Sequence, residues 1–440
     1  MTRTLRSLLL CGLSLAAVAT AAAWRQETKD PPPAAGLLPV LREARPVYYK
    51  GNLHTHSLWS DGDDFPEMIA DWYKTHGYQF LALTDHNVLS DGDKWADVVT
   101  AKADREEAVR KYAARFGPEW VERRDAKGKA QVRLKPLAEF RSLLEEPGRF
   151  LLVPGEELTH AYAKAPVHMN AINVRDVIPP TDGGSVAETL RVNLRAVGAQ
   201  AAKAKRRMFA VVNHPNWGWG LRAEDLIAAE EMQFFEVFNG HPGVRNYGDE
   251  THAGVEKMWD IVLAVRLGKV GLPVVYGVAT DDAHAYHQFG VGKTNPGRGW
   301  VMVRAPHLTA EAVVRAMEAG DFYASSGVVL DDVRKADGAL ALKIRPEPGV
   351  TYKTQFIATT RGAPLTAEPV RDKDGKELPV TRTYSPEVGK VVAEVDGAEP
   401  RYRFAGTELY VRAKVTSNKA HPNPYQKGDV EVAWTQPVVP

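Results

Sequence analysis

The sequence predicts an α/β fold with a mainly parallel sheet, followed by a small antiparallel β domain. Three observations predict it. Over residues 46–328, short β-branched and aromatic runs alternate with longer amphipathic runs, the pattern of strand–helix units. Over 329–440, apolar and polar residues instead alternate with period two between Pro and Gly clusters, which reads as a sandwich-like β domain. The third observation is where polar residues fall. Strand after strand ends in chemistry: His56, His86, Glu157, His214, Asn239 and Asp282. In (β/α) barrels the site gathers at the C-terminal strand ends. A doubly wound sheet would not collect six such ends around one point so readily.

The first residues are set aside from the fold. Arg3 and Arg6 precede an apolar or weakly polar run over 8–23, which ends in small residues with Ala19-Thr20-Ala21 as a cleavage site. That is the pattern of a secretory signal peptide over 1–23, and the run is short for a membrane span. Export to a bacterial periplasm or exterior is expected, with no stable membrane insertion after cleavage. Residues 24–45, with Pro31-Pro32-Pro33, read as a linker. Cys11 is the only cysteine and lies in the signal run. A mature chain then has no thiolate, so any metal must use His, Asp and Glu. The net charge of +1 gives no strong field for nucleic acid. The expected partner is a small-molecule substrate.

In the body, strands are expected at 47–49, 78–84, 150–154, 168–174, 208–213, 234–239 and 274–279. Helices are expected at 66–75, 186–205, 224–231 and 255–267. Pro66 suits the first helix's start and Gly77 lies just past its end. The charged stretch 91–149 interrupts the alternation and reads as a helical insertion, with helices at 102–116 and 136–145. It either folds over the mouth of the site or decorates the surface. The β-like runs of the last domain are 340–344, 408–416 and 430–435. Asn423-Pro424 and Trp434-Thr435-Gln436-Pro437 read there as turn and packing residues.

The chemistry begins at Gly51-Asn52-Leu53-His54-Thr55-His56. Residues i and i+2 of a strand share a face, so both imidazoles can aim at one point, as a divalent metal requires. Ser60-Asp61-Gly62 follows, with Gly62 permitting a tight turn. Thr84-Asp85-His86-Asn87 ends the second strand. Pro154-Gly155-Glu156-Glu157 closes another with carboxylates, and His168 opens the segment after it. Asn213-His214-Pro215 and Thr280-Asp281-Asp282-Ala283-His284 complete the set.

In this order and combination, these motifs resemble the PHP superfamily, named for polymerase and histidinol phosphatase, over roughly residues 51–327. Gly51 to Gly62, Thr280 to His284, Gly297-Arg298-Gly299-Trp300, the stretch 322–327 and the Trp-Thr-Gln-Pro end look like its carbaryl-hydrolase-like exported branch. The resemblance implies a distorted seven-stranded (β/α) barrel with two to three divalent metal ions. One ion would take His54, His56, Asp282 and a bridging Glu157. A second would share Glu157 and add His168 and His214. A third would take Asp61, His86 and His284. Glu156 could replace Glu157, and Asp281 could replace Asp282; the family spacing favours the second of each pair.

Ligands of N and O without sulfur suit Zn²⁺, Mn²⁺ or Fe²⁺ and do not select among them. Such ions acidify a bound water towards ~7 and hold the anionic oxygen that develops at phosphorus or carbonyl carbon. The expected enzyme is therefore a metal-dependent hydrolase, a phosphoesterase first and a carbamate, carboxylester or amide hydrolase second. A metal-dependent binding module is the reading from another class. Glu157, Asp282 and Asp85 are the candidate catalytic carboxylates, with Asp85 orienting a ligand or capping a turn. Arg298 and Asn239 are candidate substrate-binding residues, Arg298 having a structural guanidinium as its alternative. Lys293 could also meet a phosphate. Trp59, Trp217, Trp219 and Tyr162 could line a pocket for an aromatic leaving group. His160, His241, His252 and His287 are read as bystanders, and His76, His307 and His421 as surface residues.

Overall fold

The computed structural model describes residues 45–101 and 103–440. The expected signal peptide and residues 24–44 of the expected linker lie outside them. Among the described residues no helix is long and apolar enough to cross a membrane.

The fold is mixed α/β, with one large sheet and a small C-terminal antiparallel sheet. Strand β1 (Val47–Asn52), helix α1 (Pro66–Thr75) and β2 (Phe80–Leu83) form a parallel βαβ unit. Gly51 is required in β1 because a Cβ there would sit 2.1 Å from the Phe80 ring. The insertion follows: β3 (Lys94–Asp97), α2 (Glu106–Phe116), β4 (Arg123–Ala126), β5 (Lys129–Leu134) and α3 (Leu137–Leu144). Both expected helices are present, and a three-stranded antiparallel sheet lies between them. The insertion packs Val109, Tyr112, Val132 and Leu134 against Leu58, Trp59 and Phe65 of the loop after β1, so it buttresses the segment that carries Asp61.

Strand β6 (Leu151–Tyr162) runs on past its expected end into a hairpin with β7 (Ala165–Ile172). Then come α4 (Val186–Ala204), β8 (Phe209–Val212), α5 (Ala223–Ala228), β9 (Phe234–Asn239), α6 (Val255–Val265) and β10 (Tyr276–Thr280). Ser185 caps α4 by accepting from the Glu188 amide at 3.0 Å. The ladders β1–β2, β2–β6, β8–β9 and β9–β10 are parallel, whereas β7 is antiparallel to both β6 and β8. The sheet is therefore less uniformly parallel than the alternation suggests. Next come β11 (Trp300–Ala305), α7 (Ala310–Glu318) and β12 (Phe322–Ser325), with β11 antiparallel to β1 and to β12. Inward residues of these strands meet in one apolar interior: Phe80, Val153, Ile172, Phe209, Val211, Phe234, Val278, Val301, Val303 and Phe322. The helices α4, α5 and α6 pack outside it.

The remaining strands are β13 (Leu330–Ala336), β14 (Ala339–Ile344), β15 (Tyr352–Thr360), β16 (Ala367–Glu368), β17 (Thr383–Tyr384), β18 (Lys390–Asp396), β19 (Arg401–Arg403), β20 (Glu408–Ala420) and β21 (Val430–Thr435). The sheet β13–β14–β19 packs Leu330, Leu340 and Leu342 on Phe356, Val411 and Val415 of β15 and β20, which makes a two-layer core. The other layer continues the large sheet, because β21 pairs with both β12 and β20. Residues 45–440 accordingly form one compact unit.

The terminal motif does more than pack. The Gln436 amide accepts from the Gly277 N–H and donates to the Gly277 carbonyl, both at 2.8 Å. Trp434 stacks on Phe238 with ring centroids 5.7 Å apart. A buried ion pair adds to this. Arg412 of β20 grips Asp260 of α6 through two nitrogens at 2.8 and 2.7 Å, and the Tyr410 hydroxyl donates to the same carboxylate at 2.8 Å.

Candidate metal centre

The parallel strands deliver their C-terminal ends to one side of the sheet. β1 leads into His54 and His56, β2 into Asp85 and His86, β8 into His214, and β10 into Asp282 and His284. β7 runs the other way, so its early residue His168 reaches the same side, paired with Thr159 two residues past Glu157. Two of these residues have left-handed backbone: His214 at φ 22° and Asp282 at φ 50°. Neither is glycine. His214 also precedes Pro215, which bars the helical region. Such strain persists only where surrounding contacts impose it, and here they are visible. The Glu236 carboxylate holds the His214 N–H at 2.7 Å, and the His54 carbonyl holds the Asp282 N–H at 3.0 Å.

All nine expected ligands come together. Their donor atoms form four overlapping groups, each within 4.8 Å: His56, Asp61, His86 and His284; His54, His56 and Glu157; His54, His214 and Asp282; Glu157, His168 and His214. Glu157 is at the centre. Its oxygens lie 3.6 Å from His54 Nε2, 3.7 Å from His56 Nε2, 2.6 Å from His86 Nδ1, 3.0 Å from His168 Nδ1 and 3.4 Å from His214 Nε2. Asp282 Oδ1 lies 3.2 Å from His54 Nε2 and 3.1 Å from His56 Nε2. Asp61 Oδ1 lies 3.5 Å from His86 Nε2 and 3.4 Å from His284 Nε2.

These residues fit divalent ions by more than their number. His54 Nε2 and His56 Nε2 are buried and have no well-aligned hydrogen-bond partner among the described residues, an arrangement that costs free energy unless something else takes their lone pairs. Burial, with the charge of His284 next, pushes the His56 imidazole down to about 3, so it stands neutral and ready to ligate. Burial pushes the Glu157 carboxyl up, but the imidazoles of His168, His214 and His54 outweigh it and hold it well below the usual range. Asp282 is likewise held low against its burial, with the charge of His54 the strongest attraction.

Burial works against charge at every imidazole here, but neighbouring carboxylates outweigh it at His54, His214, His284 and His86. Burial lowers the pKa of His86, yet hydrogen bonds to Asp61 and Glu157 raise it to about 10. Its charged form therefore stabilises the fold below the ordinary imidazole range, and that stabilisation is lost as pH rises through about 10. A metal takes only the neutral ring, so loading must release this proton near pH 7 and tighten as pH rises. Titrating the metal by calorimetry in two buffers of different ionisation enthalpy should give different heats. Identical heats would show that no protonated imidazole of the cluster, His86 included, takes the metal.

The neighbours of the ligands point elsewhere. Glu156 faces the opposite side of β6 and accepts from the Ile178 N–H at 2.6 Å. Asp281 accepts from the Arg298 and Gly299 amides and from the Tyr73 hydroxyl. Asp85 accepts from the Ser57 amide and from the Ser57 and Ser60 hydroxyls, so it anchors the loop leading to Asp61. Gly62 serves that loop by close approach: a Cβ would lie 2.4 Å from the His56 carbonyl oxygen.

Two substrate-binding expectations need correcting. The Arg298 guanidinium is buried and donates to the carbonyls of Gly240, Lys293 and Gly290, so it stitches loops together. Asn239 is fully buried. It donates to Glu236 at 2.8 Å and to Asp282 at 3.1 Å, which fixes carboxylates and leaves nothing for a ligand. Of the four aromatics, Trp217 alone is both exposed and against the cluster, its ring 5.2 Å from His168 and 5.3 Å from His214. Trp59 is buried under the insertion, and Trp219 stacks on His252. His421, read as a surface residue, is buried, its Nδ1 accepting from the Asn423 amide.

Two further residues belong to the site. Glu236 is buried and takes the His54 Nδ1 proton at 2.7 Å, which aims His54 Nε2 at the cluster. The Thr280 hydroxyl donates to it at 2.6 Å. Its only sequence signal is an acid amid Phe234, Phe235, Val237 and Phe238, where an unpaired charge would not survive. His241 sits with its ring 5.7 Å from that of His284, its Nδ1 accepting from the Gly243 amide. Glu236→Gln should cost about 10–100-fold in metal affinity, the usual effect of such partners. Unchanged affinity in a competition titration would show that His54 is aimed by packing alone.

No protein-family model matches the chain, and no curated protein matches it. Among solved structures, it is similar to a two-domain protein from Bacteroides vulgatus that contains a predicted PHP-like metal-dependent phosphoesterase. The identity is 15%, covering 89% of this chain and 96% of that one, with a TM-score of 0.36. It is also similar to an amidohydrolase from Chromobacterium violaceum with bound sulfate and no metal. There the identity is 15%, covering 54% of this chain and 88% of that one, with a TM-score of 0.26.

Proposed function

We propose that the chain is an exported metal-dependent hydrolase that cleaves phosphoesters at a centre of two to three divalent ions. The observation that carries this is Glu157, a buried carboxylate within 3.7 Å of five imidazoles, beside two buried Nε2 atoms with no well-aligned hydrogen-bond partner among the described residues. We further read β10, β9, β8, β7, β6, β2 and β1 as a distorted seven-stranded barrel of the PHP kind. Their consecutive order and shared apolar interior support that reading.

Bound divalent ions supply Lewis-acid chemistry and an acidified water. The chain's own residues do the rest. Glu236 and the Asp282 carbonyl orient His54 and His284 by taking their Nδ1 protons. Asn213 donates to Glu157 at 2.9 Å and fixes the central carboxylate. Asp61 is the ligand open to solvent, which marks the side from which a substrate enters. A phosphoryl group presents several anionic oxygens to such a charged centre, which favours it over the single carbonyl oxygen of a carbamate or ester.

The test compares an aryl phosphate, an aryl phosphodiester, an aryl carbamate and an aryl ester on one metal-supplemented preparation. A phosphoester should be the best substrate, with two to three ions per chain by elemental analysis. A carbamate or ester preferred by ~100-fold in kcat/KM, about 2.7 kcal/mol of discrimination, would transfer the assignment to that class. Less than one ion per chain would end the metal reading.

A further inference from the structure

Behind the wall that carries Glu157 lies a second cavity of about 250 Å³, between α3 and the outer face of β2 and β6. Arg141, Arg175 and Arg206 line it, with Asp91 the only acid. Arg141 is half-buried, donates to the Leu152 carbonyl at 3.1 Å and lies 3.4 Å from Glu145. Arg206 bonds only the amide oxygen of Asn173. The Arg175 guanidinium has no partner among the described residues. Asp91 does not neutralise them, since its carboxylate accepts from the Gly92 amide at 2.8 Å and pairs with none of the three. Arg141 has Glu145 as its partner, but Arg175 and Arg206 bring two guanidiniums without a carboxylate to the same space, and these repel unless an anion joins them. The opposing wall is apolar: Leu83, Leu89, Leu137 and Val174.

We propose that this cavity binds a small organic phosphate. Guanidiniums match phosphate oxygens with paired N–H donors, and the two without a carboxylate partner, with Arg141 beside them, suit a dianion better than a carboxylate. The apolar wall takes a short hydrocarbon or aromatic body. The volume of about 250 Å³ suits a small body better than a drug-sized one. The site is separate from the metal cluster and does not depend on its function.

The probe is phenylphosphonate, which cannot be hydrolysed, titrated calorimetrically into the full chain. Treatment with a chelator removes binding at the metal cluster. One site per chain should then remain, weakened at least tenfold in Arg175→Ala and absent in Arg175→Ala/Arg206→Ala. Arg175→Glu changes only an exposed side chain and should abolish binding even if the double variant fails to fold. No binding to the chelated protein, or equal binding by wild type and Arg175→Glu, would overturn the proposal. Inorganic phosphate binding as tightly as phenylphosphonate would overturn the organic body.

Discussion

Glu157→Gln should leave a folded protein that has lost at least one metal ion and most of its activity. The substitution keeps shape and volume, so the apolar interior beneath it should be undisturbed. What it removes is the one negative charge shared by His54, His56, His86, His168 and His214. Neighbouring cations without that anion repel and bind poorly. The loss in kcat should exceed the about 10–100-fold typical of residues that only orient ligands. Circular dichroism and elemental analysis on the same sample separate folding from loading. A variant that keeps its metals and its turnover would make Glu157 a packing residue and remove the observation on which the function rests.

The second large effect is on stability. Asp260 and Arg412 form a pair with side chains 5% and 1% exposed, tying α6 to β20. Removing one partner strands the other charge in a dry interior, which costs about 3–5 kcal/mol. Asp260→Ala leaves Arg412 with Glu256, 3.8 Å away, and the Trp259 ring beneath its guanidinium. Arg412→Met leaves Asp260 with the Tyr410 hydroxyl alone. Both should lower the urea midpoint strongly while metal content at low denaturant stays unchanged. The double variant Asp260→Leu/Arg412→Met should recover much of the loss, since an apolar pair of similar volume needs no desolvation. A loss below about 1 kcal/mol in either single variant would show that water reaches the pair.

The positions of the nine candidate ligands were legible from motif order, aided by strand periodicity and strand ends, which are local properties. A His-x-His after a β run, or an acid closing one, announces itself without knowledge of the partner strands. What surrounds them was not legible. The hairpin between β6 and β7 turns on Ala163 and Lys164 at φ 47° and 76°, where Asn-Gly would normally mark such a turn, so the strand expected at 168–174 carries no local sign that it runs antiparallel. Glu236 hid inside an apolar strand because its partners, His54 and Thr280, are remote in sequence. Arg298 stands in a Gly-rich segment that looks made for an anion. Only the fold reveals that three carbonyls already occupy its guanidinium.

The place of β21 has a consequence for how the molecule comes into being. Its residues sit between β12 and β20, and Gln436 closes on Gly277 of the strand that leads to Asp282. A ribosome releases these residues after everything they must join. At about 5–20 residues per second, β1 waits about 20–80 seconds for the last strand. During that wait the margins of β12 and β10 stand open, and exposed margins recruit other chains. Such long-range closure is slow in itself. A chaperone that holds the unfinished chain, or transport across a membrane before folding, would each protect that interval.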